Sequence, residues 1–184
     1  MAGERSAVLV SGGLDSVVLM ARELADGRDV WPVHVRVGLG WEDAEAAALA
    51  RVAAMPPLAG RVRAVTTLHV DMRDVYPDTH WAVAGTGRDW DEPDESVYIE
   101  GRNLTLLTKA GVFCAAESIP RIVLGPLAGN PFPDARPEFL DAMARALALG
   151  LDVPIEITAP FRTLHKANVI RLGLNLEEIG RAHV

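Results

Sequence analysis

The sequence predicts an α/β domain: a parallel five-stranded sheet with helices on both faces. Short apolar runs alternate with segments of helical periodicity along the whole chain, the pattern of a parallel sheet covered on both sides. One junction, Ser11-Gly12-Gly13-Leu14-Asp15-Ser16, passes from an apolar run straight into a helical segment through paired glycines. The composition, 184 residues with 49% hydrophobic and 23% charged, is that of one globular domain with a sizeable core. No internal repeat or low-complexity tract interrupts it.

Ala7-Val8-Leu9-Val10 reads as the first strand and Val17 to Ala25 as the first helix, ending near Gly27. In residues 30–37, Val33, Val35 and Val37 alternate with His34 and Arg36, the period of a second strand. After the turn Gly38-Leu39-Gly40, an alanine-rich helix runs from Trp41 to Ala54 and stops at Pro56-Pro57. Ala64 to Val70 is a third strand. From Asp71 to Ser96 periodicity fails and Pro, Gly, Asp and Trp collect; a stretch this long without an element reads as a functional loop or lid. Asn103 to Ser118 follows as a helix, with Asn103 suited to its N-cap, and Arg121 to Leu124 as a short strand. A proline-rich loop, Gly125 to Arg136, leads to a helix from Pro137 to Leu149, where Pro137 suits the first turn. Ile155 to Ala159 is the fifth strand and Leu164 to Leu172 the last helix.

A strand that turns through glycines into a helix is a phosphate site in outline. The helix start offers unpaired N–H groups and partial positive charge, and glycine lets the ligand reach the backbone. The turn is not a Walker-type P-loop, because Lys109 is the first lysine in the chain. Ser11 and Ser16 supply hydroxyl donors, and Asp15 serves as a helix cap or as a ligand for Mg²⁺ beside the phosphates. In open α/β sheets ligands gather beyond the carboxyl ends of the strands, which brings in the loops after each strand and the helix start Gly101-Arg102-Asn103. There Arg102 could grip a carboxylate or phosphate bidentately.

Other classes recede. The net charge of −7 disfavours a dedicated nucleic-acid binder. The single cysteine, Cys114, lies among apolar neighbours and reads as core, excluding an internal disulfide and a cysteine zinc cluster within these residues. No apolar run is long enough to span a membrane, and the N-terminus lacks the pattern of a signal peptide, so a cytoplasmic protein is expected. Of the histidines, His34 and His69 read as structural and His165, beside Lys166, as the better site candidate.

Ser11-Gly12-Gly13-Leu14-Asp15-Ser16 resembles the pyrophosphate loop of the PP-loop ATP pyrophosphatase superfamily, in which ATP is split between its α and β phosphates. Gly101-Arg102-Asn103, the segment from Phe132 to Phe139 (Phe-Pro-Asp-Ala-Arg-Pro-Glu-Phe) and Leu164-His165-Lys166-Ala167 narrow the likeness. The series resembles the 7-cyano-7-deazaguanine synthase family over about residues 6–177. The resemblance implies an adenine-nucleotide alpha-hydrolase-like fold. It also implies an ATP-dependent carbon–nitrogen ligase of queuosine biosynthesis, acting on a deazapurine carboxylate with ammonia and Mg²⁺. Carried over residue by residue, Ser11, Gly12, Gly13, Leu14, Asp15 and Ser16 hold ATP, with Arg36 and Gly38 near its adenine and ribose. Arg102, Asn103, Asp134 and Arg136 line the substrate pocket, an acid at Asp134 suiting purine-like N–H groups. Lys166 neutralises phosphate charge, and Asp15, Ser16 and Lys166 form the catalytic set. A homodimer is compatible with the resemblance; nucleic-acid and membrane partners are not expected.

Two positions depart from the family pattern: Arg36-Val37-Gly38 replaces a tyrosine-containing segment, and Ala135 stands where a cysteine is usual. Family members also carry a zinc site in cysteines beyond the last matched helix, and these are absent here. The last seven residues, Glu178 to Val184, read like translated sequencing adapter, so residues 1–177 are expected to form the domain and 178–184 a non-native tail. Another PP-loop adenylating enzyme, of the purine amidotransferase or tRNA-modifying type, and a non-catalytic nucleotide-binding module remain the alternatives at this point.

Overall fold

A computed structural model of the chain describes residues 3–86 and 97–182, with side chains to Leu176. The strands are β1 (Arg5–Leu9), β2 (Asp29–Arg36), β3 (Thr66–His69), β4 (Arg121–Val123) and β5 (Glu156–Thr158). They form one sheet in the order β3-β2-β1-β4-β5, and every pairing is parallel. The helices are α1 (Leu14–Ala25), α2 (Glu42–Ala53), α3 (Trp81–Ala84), α4 (Arg102–Ala116), α5 (Pro137–Leu151) and α6 (Lys166–Ala182).

Alternation along the strands divides the core in two. Ala7, Val33, Val35 and Ile122 face one side, where Leu107, Ala110 and Cys114 of α4 and Leu140, Met143 and Leu147 of α5 cover them. Val8, Val30 and Val123 face the other, under Val18 and Leu19 of α1, Leu49 of α2 and Val169 of α6. A one-residue slip in any strand would exchange these two sets, so the apolar pattern fixes the register. Helices on both faces follow from strands apolar on both faces.

Strand order reverses between β1 and β4. Chain leaving β1 turns toward α1 and β2, and chain leaving β4 turns toward α5 and β5. The loops after these adjacent strands therefore diverge and leave a crevice at their carboxyl ends, the topological switch point where α/β folds bind ligands.

Four sequence expectations need correction. Residues 71–86 are not without an element: α3 forms because His80 Nδ1 accepts the Ala82 N–H at 3.3 Å and Trp81 stacks on Trp41 with centroids 5.6 Å apart. The remainder of the expected lid, residues 87–96, lies outside the described residues. The N-cap of α4 is Gly101, in the left-handed region at φ 71°, and not Asn103, which sits inside the first turn. Asp15 does not cap α1; Gly13 occupies that position and makes no side-chain cap. The last helix does not stop at Leu172, because Gly173 is a packing residue. A Cβ there would lie 2.8 Å from Val18 Cγ2, so its absence lets α6 approach α1 and continue. The expected tail falls on residues whose side chains, and for 183–184 also the backbone, lie outside this description.

Candidate active site

The switch-point crevice is a cleft of about 280 Å³. Ser11 and the end of β1 form one wall, and Gly125 and Pro126 after β4 form another. Arg102, Asn103, Tyr98, Phe132 and Asp134 close the far end. The sheet thus brings together three of the sequence clusters: the glycine turn, the start of α4 and the proline-rich loop.

The glycine turn is held open by backbone geometry. Gly12 adopts φ +79°, and a Cβ on it would stand 3.0 Å from Glu45 O and Leu49 N of α2. The first helical bond of α1 runs from Val17 N–H to Gly13 C=O at 3.2 Å. The N–H groups of Leu14, Asp15 and Ser16 consequently have no intrahelical acceptor and stand at the positive end of the helix dipole. Ser16 is turned inward: its hydroxyl donates to Gly13 C=O at 2.8 Å, closing the turn instead of reaching a phosphate. Asp15 is bound by Lys166, whose Nζ donates to both carboxylate oxygens at 2.8 Å.

At the far end Asp134 is only 7% exposed. It takes over the capping that Asn103 was expected to supply, from another loop. Asp134 Oδ2 accepts the Asn103 N–H at 2.9 Å, and Asn103 Nδ2 donates to Asp134 C=O at 3.1 Å. Burial pushes the Asp134 carboxyl above the usual carboxylate range, opposed by these hydrogen bonds and by the Arg102 charge. Arg102 Nε is buried without a partner among the described residues. A guanidinium nitrogen left without an acceptor beside an open cleft is suited to an anionic ligand.

Some expected residues lie elsewhere. Arg36 and Gly38 line a separate depression beyond β2 and β3, where Arg36 pairs with Glu42 and Asp43. Glu42, 3% exposed, accepts the N–H groups of Val37 and Gly38 and so fixes that loop. Arg136 is exposed at the start of α5, in a shallow depression with Arg162. His165 is exposed and outside the cleft wall, whereas His34, expected to be structural, lies in that wall with Nε2 3.3 Å from Glu45 Oε2. His34, Glu45, Tyr98 and Phe132 were not singled out as site residues. Only the aromatic content of the loops after the strands hinted at the last two.

Metal chemistry has limited support in the side chains. No group of three or more His, Cys, Asp or Glu able to hold an ion occurs among the described residues. Cys114 is buried in the core and its thiol is pushed up to about 12, which does not fit a zinc ligand. Among the described residues no helix is long and apolar enough to cross a membrane.

The family model for the queuosine biosynthesis protein QueC matches residues 5–183. The chain belongs to the QueC family. A QueC-family relative from Halobacterium salinarum named 7-cyano-7-deazaguanine synthase is 31% identical, the match covering 96% of this chain and 79% of the relative. A protein of the same name from Methanospirillum hungatei is 29% identical, over 94% of this chain and 80% of its own length. Among solved structures, a predicted subunit of tRNA methyltransferase from Methanocaldococcus jannaschii aligns with TM-score 0.59 at 14% identity, covering 93% of this chain and 74% of that one. A 4-thiouridine synthetase–RNA complex with bound ATP aligns with TM-score 0.58, also at 14% identity, covering 96% and 42%. At that identity these two show the fold alone. The QueC fold here is accordingly the α/β arrangement that the sequence predicts.

Proposed function

We propose that this chain is an ATP-dependent carbon–nitrogen ligase that converts 7-carboxy-7-deazaguanine and ammonia into 7-cyano-7-deazaguanine, a step of queuosine biosynthesis. One observation carries the reading. Ser11, at the head of the glycine turn, lines one cleft with Arg102 and Asp134. Asp15 lines an adjoining depression that shares Gly125, Pro126 and Phe132 with it, so a triphosphate and a carboxylate-bearing heterocycle can meet end to end. Membership of the QueC family and the names of the relatives support the substrate.

The chemistry runs in two activations. A substrate carboxylate oxygen attacks the α-phosphorus of ATP, the bond to the β-phosphate oxygen breaks, and pyrophosphate leaves. Ammonia adds to the acyl carbon of the adenylate, AMP departs with the carboxyl oxygen, and a proton is released, giving the amide. The amide oxygen then attacks a second ATP in the same way. Loss of AMP and the remaining N–H protons from the imidoyl adenylate gives the nitrile.

For these steps the chain supplies position and charge. The N–H groups of Leu14, Asp15 and Ser16 and the Ser11 hydroxyl hold the leaving pyrophosphate. Lys166 exchanges Asp15 for phosphate oxygens, and Arg102 orients the carboxylate. Where Mg²⁺ accompanies the triphosphate, the Asp15 carboxylate would hold it together with phosphate and water oxygens, and the ion would offset charge on the leaving pyrophosphate.

The test is incubation of the protein with 7-carboxy-7-deazaguanine, ammonia and Mg-ATP, followed by mass spectrometry. Amide and nitrile are expected. ATP cleavage without either product would mean that the substrate is a different acid.

A further inference from the structure

The side of the cleft formed by β2 and α2 carries a pair that the roles assigned above leave unused. His34 on β2 is 2% exposed, and its Nε2 lies 3.3 Å from Oε2 of Glu45 on α2. Both residues line the cleft together with Ser11. His34 Nδ1 is buried with no hydrogen-bond partner among the described residues, so nothing there accepts a proton from it. The tautomer that fits carries its proton on Nε2, which donates to Glu45. The pair then holds one negative charge, on the Glu45 carboxylate. Neither lysine nor arginine pairs with that carboxylate among the described residues, and its side chain stays 20% exposed. Glu45 also stands beside the glycine turn: a Cβ on Gly12 would lie 3.0 Å from its carbonyl oxygen. An unpaired carboxylate is out of place in a cleft for a triphosphate and a carboxylic acid, because like charges at that range oppose one another. No third His, Cys, Asp or Glu joins the pair to make a metal site among the described residues. Of the reactants, only the nitrogen source is a cation, since ammonia at neutral pH is almost wholly ammonium.

We propose that Glu45, oriented by His34, binds ammonium and takes a proton from it before the nitrogen attacks. The ion donates charge-assisted N–H bonds to the carboxylate. One N–H proton passes to Glu45, and the freed lone pair bonds to the acyl carbon of the adenylate. The carbon–oxygen bond to AMP then breaks, and a second proton passes from nitrogen to the departing phosphate as the amide forms. Glu45 afterwards returns its proton to water. Glu45 is the catalytic residue here. His34 is a positioning residue, whose N–H occupies one carboxylate oxygen and leaves the other for the nitrogen. The inference rests on the substrate reading above and gives the second reactant a site of its own.

The experiment uses the full chain with 7-carboxy-7-deazaguanine and Mg-ATP, and separates activation from amination. Exchange of labelled pyrophosphate into ATP, with no nitrogen source present, reads formation of the adenylate. Amide formed from ammonium chloride and hydroxamate formed from hydroxylamine read nitrogen attack. Hydroxylamine is uncharged at neutral pH, so it needs neither a cation site nor a proton acceptor before attack. Glu45→Gln should lower kcat/KM for ammonium by about 100-fold or more, the scale of a positioned proton acceptor. Its pyrophosphate exchange and its hydroxylamine reaction should stay near those of the wild type. His34→Leu should raise KM for ammonium by about tenfold, the worth of one hydrogen bond to a charged group. His34→Gln keeps an N–H donor at that place and should recover most of the loss. Equal losses on ammonium and hydroxylamine in Glu45→Gln overturn the proposal. A raised KM for ATP in its pyrophosphate exchange does so too, because the acid then serves the nucleotide. If Glu45→Gln fails to fold, the His34 pair decides: equal KM for ammonium in His34→Leu and His34→Gln overturns the proposal. A wild type without pyrophosphate exchange removes the substrate reading, and this proposal falls with it. Exchange in the wild type without the expected differences removes the ammonium site alone.

Discussion

Lys166 Nζ stands 2.8 Å from both carboxylate oxygens of Asp15, across 151 positions of sequence. The contact joins the first residue of α6 to the first turn of α1, at the mouth of the phosphate site. Lys166 is 53% exposed, so as a stabilising ion pair the contact is worth no more than about 1 kcal/mol. Its value is better sought in ligand binding, where Asp15 keeps a cation beside the turn until an anion replaces it.

Replacing Lys166 by Ala should therefore raise KM for ATP by about tenfold, the equivalent of about 1.4 kcal/mol, with the melting temperature nearly unchanged. Asp15→Ala should lower pyrophosphate release by about 10²–10³-fold, the scale of losing one preorganised charge-stabilising group. Pyrophosphate release and thermal melting read both effects; turnover retained in Asp15→Ala would remove that residue from the mechanism.

Gly12→Ala should damage fold and site together. A left-handed backbone costs an L-residue about 1–2 kcal/mol, and the new Cβ would sit 2.9 Å from Ala48 Cβ and 3.0 Å from α2 backbone. Overpacking of that kind adds about 1–3 kcal/mol. Urea unfolding should show the sum, and calorimetric titration with ATP should show weakened binding.

A different lever lies at the opposite end of the sheet. Glu23 is 1% exposed, accepts the Ser6 hydroxyl at 2.8 Å, and faces Arg28 and Arg121 at 3.2 and 3.4 Å. Glu23→Ala removes the buried partner shared by two guanidinium groups, but Arg28 keeps Glu4 and Arg121 keeps Glu156, so the cost by denaturant unfolding should be about 1–3 kcal/mol. Because the network is remote from the cleft, KM for ATP of the surviving folded protein should not change.

Acid sensitivity has a defined contributor in Asp29. The Arg63 guanidinium, 3.0 Å away through two nitrogens, holds its carboxyl below the usual range, assisted by the Trp31 N–H. A lowered folded-state value means stability that is present above about pH 4 and lost as pH falls through the native value. Asp29→Asn should flatten that part of the acid-unfolding curve while leaving the neutral-pH limb in place, as followed by circular dichroism.

The sheet was legible because each strand is apolar on a period that packing then uses, as Ala7 and Val8 show by facing opposite layers. The glycine turn was legible because strand, small residues and helix are adjacent in sequence. What could not be read depends on residues distant in sequence. Nothing local marks Asp134 as the cap of α4, because its partner Asn103 lies 31 positions upstream. His34 looked like an ordinary strand histidine, and only the placement of α2 brings Glu45 to it and both to the cleft. Continuation of the last helix past Leu172 was hidden for the same reason: the Val18 neighbour that makes Gly173 a packing residue belongs to another helix.

That last contact has a consequence for the phosphate site. Gly173 lies about two helical turns beyond Lys166 on α6, and Val18 about one turn beyond Asp15 on α1. The spacing of the two helix axes at Gly173 and Val18 therefore sets how far the Lys166 ammonium must reach. A side chain at position 173 would act as a wedge, tilting α6 outward and detuning the cation from a distance without touching nucleotide. The reach of the phosphate-facing charge is gauged by a missing methyl group.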